Sequence, residues 1–125
     1  MRASELRKAG KGEDVPGTPF EINVVRDHDS ATVTLAGELD IATVPRVEEA
    51  IEATLASEVQ MLTIDLSGLG FVDSSGLRLF IVLDQRADEQ GFELRLLRPD
   101  AQVLTVFQVS GVEENLPFVE DASVT

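Results

Sequence analysis

Leu62 to Phe80, LTIDLSGLGFVDSSGLRLF, is the stretch whose reading decides the fold. Together with Met61, its first part, Leu62-Thr63-Ile64-Asp65-Leu66, is short, mostly apolar and bounded by Ser67-Gly68, a turn signal; it reads as a buried strand over 61–66. From Leu77 onward the run is apolar and helical. Between them stand Asp73-Ser74-Ser75-Gly76, small or acidic residues at the point where a strand must turn into a helix. The first turn of a helix leaves backbone N–H groups unpaired and gathers partial positive charge, so a serine at this junction stands where phosphate is stabilised. On the tetrapeptide alone, N-capping is the more economical reading, because Asp73 or Ser74 can accept from those same N–H groups.

Toward the N-terminus, Phe20, Ile22 and Val24 alternate with Glu21, Asn23 and Val25, and Ala31, Val33 and Leu35 alternate with Thr32, Thr34 and Ala36. With Asp27-His28-Asp29-Ser30 between them, these runs predict a β-hairpin. Its second strand ends in Gly37-Glu38-Leu39-Asp40. Thr43 is then a candidate N-cap for a helix with Pro45 in its first turn and Val47, Ala50, Ile51 and Leu55 on one face. Toward the C-terminus, Leu77 and Leu79 to Leu83 make a helix apolar nearly all round, one that must be buried or dock something. Gly91 stops it. Phe92, Leu94 and Leu96 alternate as a strand, Pro99-Asp100 opens a helix ended by Gly111, and Leu116 to Glu120 is the expected last strand, with Pro117 near its start. The order β-β-α-β-α-β-α-β predicts an α/β fold: a mixed, largely parallel β-sheet with helices between strands and right-handed crossovers.

The 125 residues, 43% hydrophobic, suit one core and one domain, expected over 19–125. Residues 1–18 mix charge with Gly10, Gly12, Pro16 and Gly17, show no apolar periodicity, and are expected to form a disordered tail. With Cys 0 and His 1, neither a disulfide framework nor a transition-metal site is expected. The sequence has no apolar run of the ~18 residues a membrane helix needs, and a cytoplasmic protein is the expectation. Residues 19–125 carry 6 basic against 20 acidic residues, a net −14 with no lysine. Such a body repels phosphate backbones and anionic lipid, so no direct nucleic-acid or membrane partner is expected.

Parallel second and third strands bring their C-terminal ends to one sheet edge, which makes the Asp40 turn and the Ser74 turn neighbours at the edge where open α/β sheets bind ligands. His28 belongs to the hairpin turn at the other end, roughly 20 Å away at about 3.3 Å per residue, and cannot serve Ser74 as a base. A Ser–His–Asp hydrolase therefore fails on geometry, and the G-x-S-x-G elbow is absent. Asp65 lacks the acidic pair and lysine that a phospho-accepting aspartate wants. The glycines at 68, 70 and 76 do not form a Walker loop.

Gly37-Glu38-Leu39-Asp40, Ile64-Asp65-Leu66-Ser67, Val72-Asp73-Ser74-Ser75-Gly76-Leu77 and Val109-Ser110-Gly111-Val112, in this order and spacing, resemble the STAS domain of bacterial anti-sigma factor antagonists over about residues 19–121. The resemblance implies a STAS-like α/β fold and no catalysis of the chain's own. It implies a phosphoprotein of transcription regulation in stress response, with phosphorylation at Ser74. The partners implied are an anti-sigma factor with serine kinase activity, which inactivates the antagonist, and a serine phosphatase, which restores it. ATP and magnesium would belong to the kinase, so no cofactor is expected here. Asp40, Asp73, Ser74, Ser75 and Gly76 are the expected partner- or nucleotide-binding residues. A STAS module sensing a nucleotide or other small ligand, and a scaffold subunit of a signalling assembly, remain alternatives. Family members usually continue into a further helix, whereas this sequence ends at Ala122-Ser123-Val124-Thr125.

Overall fold

The fold is that of a computed structural model, which describes residues 19–120. The tail expected over 1–18 and the chain end at 121–125 lie outside the described residues. Strands β1 (Glu21–Asp27) and β2 (Ser30–Leu39) form the hairpin, followed by helix α1 (Val44–Leu55), β3 (Met61–Val72), α2 (Ser74–Gln90), β4 (Glu93–Leu97), α3 (Ala101–Val109), a short 3-10 turn (Glu113–Asn115) and β5 (Phe118–Val119). The sheet order follows the chain, β1-β2-β3-β4-β5; β1 pairs antiparallel with β2 and every later pair is parallel.

In β2 and β4 the alternation read from the sequence is the alternation of burial, whereas in β1 only Ile22 is half-buried and Val24 is exposed. Ala31, Val33 and Leu35 of β2, Leu62, Ile64 and Leu66 of β3, and Leu94 and Leu96 of β4 are buried together, and the helices cover them with Val47, Ile51, Leu77, Phe80, Leu83, Val103 and Phe107. The helices also touch each other: Arg86 of α2 pairs with Glu52 of α1, and the Phe80 and Phe107 rings of α2 and α3 lie 6.2 Å apart. Phe107 in turn meets Phe118 edge-on at 5.3 Å, an arrangement that favours the quadrupoles of both rings. The hairpin closes through His28 and Asp29, with His28 at φ 58°, an uncommon left-handed conformation for a side chain other than glycine.

Two elements depart from the sequence reading. Strand β3 does not end at Leu66 but runs through Ser67-Gly68 to Val72. Twelve residues of β3 lie along ten of β2, and the two extra residues are absorbed by bulges opposite Thr34/Ala36 and Gly37/Glu38. The Asp65 carboxylate fills the first irregularity, accepting from the Ser67 N–H at 3.0 Å and the Ser67 hydroxyl at 2.7 Å. Gly68 is needed there because a Cβ would stand 2.8 Å from the Leu35 carbonyl oxygen. At the other end of the chain, β5 shrinks from the expected 116–120 to Phe118–Val119. Pro117 has no N–H for the ladder, and Leu116 closes the preceding turn by donating to the Glu113 carbonyl.

Candidate functional site

The bulged pairing brings the two expected turns together. Leu39 is in register with Val72, and the Asp73 N–H donates to the Leu39 carbonyl at 3.1 Å, so the residue before Ser74 is bonded to the residue before Asp40. The hairpin turn with His28 lies nine residues back along β2, about 30 Å away at 3.3 Å per residue. His28 is out of reach of Ser74, as the sequence required.

Each turn is built by an aspartate. Asp73, in extended conformation, caps α2: its Oδ1 accepts from the Ser75 N–H at 2.9 Å and the Gly76 N–H at 3.2 Å. Ser74 is the first residue of the helix and is exposed, and its hydroxyl makes no hydrogen bond within the described residues. Of the two candidate caps at this corner, the structure uses Asp73 and leaves the serine hydroxyl to solvent. Ser75 is half-buried, and Gly76 is buried against Val72 and Leu39, where no Cβ fits. Asp40 likewise folds its own turn, its Oδ1 accepting from Ala42 at 3.0 Å and Thr43 at 3.2 Å. Thr43 stands at the N-cap of α1 as expected, but its side chain makes no capping bond: the hydroxyl turns back to donate to the Glu38 carbonyl and accept from the Asp40 N–H.

Around this corner lies apolar surface that the sequence reading did not single out. Ile41 is 76% exposed, Phe71 45% and Val82 49%. Ile41 and Val82 line a cleft between the start of α1 and the first turns of α2, together with Val44, Ser75, Arg78 and Leu79. The sequence signal for Ile41 was an isoleucine inside a turn. For Val82 it was the helix apolar on more faces than one core can use. The arrangement offers an exposed hydroxyl at a helix N-terminus with apolar side chains nearby, and among the described residues no lysine or histidine stands beside it. Among the described residues no group of three or more His, Cys, Asp or Glu side chains gathers as a metal site, and no helix is long and apolar enough to cross a membrane.

Comparison with known proteins places this architecture. The family described as "Mlab, STAS domain" matches residues 22–120. The chain is 32% identical over 89 residues, 71% of its length and 78% of the relative's, to the anti-sigma-B factor antagonist of Listeria monocytogenes. Among solved structures, an anti-sigma factor antagonist from Mycobacterium paratuberculosis is similar with a TM-score of 0.69 and 25% identity, covering 87% of this chain and 92% of that one. The anti-sigma factor antagonist SpoIIAA in its unphosphorylated form shares the fold, with a TM-score of 0.68, 24% identity and coverage of 84% and 90%. Motif order, sheet topology and these likenesses agree: the chain belongs to the STAS-domain family of anti-sigma factor antagonists, which are regulatory proteins and not enzymes.

Proposed function

We propose that this protein binds an anti-sigma factor through the corner formed by Asp40, Asp73, Ser74, Ser75 and Gly76, and that the anti-sigma factor's own serine kinase activity switches it off by phosphorylating Ser74. The observation that carries the reading is the division of labour at the start of α2. Asp73 satisfies the N–H groups of Ser75 and Gly76, so the Ser74 hydroxyl is exposed and uncommitted. In the transfer, the Ser74 oxygen attacks the γ-phosphorus of ATP held by the kinase, its proton passes to a base of the kinase, and ADP leaves. Nothing in this chain needs to act as that base. A serine phosphatase reverses the step by hydrolysis.

The fold supports a switch that works at the interface. A phosphate adds about −1.5 to −2 charge, whereas its gain from an exposed helix N-terminus is only about 0.3–1 kcal/mol, too little to repack a sheet. Set beside Asp73 and among Ile41, Phe71 and Val82, the same charge repels and desolvates poorly against a docked partner, and every ~1.4 kcal/mol so lost is tenfold in affinity. The chain's acidity, −13 overall, favours a partner with a basic or neutral face. Incubation with candidate anti-sigma kinases and ATP, followed by mass spectrometry of the parent chain, Ser74→Ala and Ser75→Ala, tests the proposal. Phosphate is expected on the parent and on Ser75→Ala alone; phosphorylation of Ser74→Ala refutes the site.

A further inference from the structure

The described residues contain six arginines, and five have acceptors. Arg26 donates to the Thr54 carbonyl and the Ser57 hydroxyl, Arg46 to the Phe20 carbonyl, Arg86 to Glu52, Arg95 to Glu93, and Arg98 to Glu113 and Glu120. Arg78 is exposed and has no ion pair or hydrogen bond among the described residues, on a body that is otherwise strongly acidic. Its place on α2 is four residues after Ser74. At 3.6 residues per turn the two lie within about 40° of each other around the helix, one turn apart, the spacing at which side chains of a helix meet. The other charged groups facing this corner are the carboxylates of Asp40 and Asp73 from the two turns and of Glu48 from α1, which lines the cleft with Arg78.

We propose that Arg78 is the counter-ion of a phosphate on Ser74. The inference rests on Ser74 being the modified residue. In the unmodified protein the guanidinium stands free at the cleft beside Ile41 and Val44. On modification it folds back one turn, and its planar N–H fork meets the phosphate oxygens in a charge-assisted pair. Phosphorylation then changes the docking surface twice: it adds an anion at Ser74 and withdraws the cation that lined the neighbouring cleft.

The test installs phosphoserine at position 74 by genetic-code expansion, so that no kinase enters, and follows the phosphorus-31 chemical shift against pH in the parent chain, Arg78→Gln and Arg78→Lys. The second ionisation of a phosphoserine falls near pH 6. With Arg78 present its midpoint is expected about 0.15–0.4 pH unit below that of Arg78→Gln, as follows from i,i+4 ion-pair strengths at 1.36 kcal/mol per unit. Arg78→Lys restores part of the difference, and high salt shrinks it. Coincident midpoints in parent and Arg78→Gln, or a higher midpoint in the parent, overturn the assignment. Because the phosphate is placed genetically, a kinase that fails to modify Ser74 would refute the functional proposal without touching this measurement.

Discussion

Replacing Gly76 by alanine sets two effects against each other at the corner that carries Ser74. Alanine is the better helix former by about 1 kcal/mol in a helix interior, and a gain in that direction would follow from sequence alone. The structure reverses the sign. A Cβ at Gly76 would stand 2.6 Å from Val72 Cγ2 and 3.0 Å from Leu39 Cγ and Cδ2, all three buried carbons at the ends of β3 and β2. Carbon atoms rest about 3.5–4.0 Å apart, so α2 must retreat by roughly 1 Å or Val72 must leave its rotamer. Overpacking of this kind costs about 1–3 kcal/mol; after the partial helix-propensity gain in a first turn, a net loss of about 0.5–2 kcal/mol is expected. The assay is chemical unfolding of a four-member cycle with Val72→Ala. Removing the Val72 methyls destabilises by itself but opens the space the new methyl needs. The double variant should therefore be more stable than the two losses added together, by about 1 kcal/mol of coupling. A Gly76→Ala protein more stable than its parent, or losses that simply add, would refute the packing argument.

Three further outcomes are expected. Asp73→Ala should lose about 1 kcal/mol through its cap, with a few tenths more from the helix dipole, while Ser74→Ala stays within about 0.5 kcal/mol of the parent; thermal unfolding of both checks the order. Ser74→Asp should weaken anti-sigma factor binding at least tenfold, by about 1.4 kcal/mol or more, measured by calorimetry. Its amide NMR spectrum should change only near residues 40 and 70–80, and shifts spread across the sheet would point to a conformational switch instead. Burial, and secondarily the like charge of Asp88, raise the Asp84 carboxyl above its ordinary value. Its ionisation therefore opposes folding at neutral pH, and that cost vanishes as pH falls through the carboxylate range. Asp84→Asn should be more stable than the parent at pH 7 by a few tenths of a kcal/mol and lose that advantage near pH 3; equal stability at pH 7 would contradict the burial.

The strand-turn-helix corner, the hairpin and the meeting of the Asp40 and Ser74 turns were legible because each depends on local patterning and on one parallel pairing. The length of β3 was not. Ser67-Gly68 has the composition of a turn, and only the close approach of the Leu35 carbonyl reveals that the glycine serves a bulge inside a strand. Thr43 was legible as the cap position, but residue preference does not say where its hydroxyl turns, and here it bonds Glu38 and Asp40 instead of the first turn of α1. The exposure of Phe71 was not legible either, because it lies beside the second bulge, where the register shifts between Leu69 and Phe71. Arg78 carried a signal that went unused, a lone cation one helical turn beyond the candidate serine.

The sheet order is the order of synthesis, and this has a kinetic consequence. Each strand pairs with the one made just before it, so no strand must wait for a distant segment to find its place. Such sequential pairing keeps contact order lower than a shuffled strand order would and suits folding that advances from the N-terminus as the chain emerges. The Leu39–Asp73 hydrogen bond, which joins the two halves of the corner, links segments already present before β4 and β5 are translated. A ribosome stalled after Gly91 would therefore already hold every residue of the Asp40–Ser74 corner.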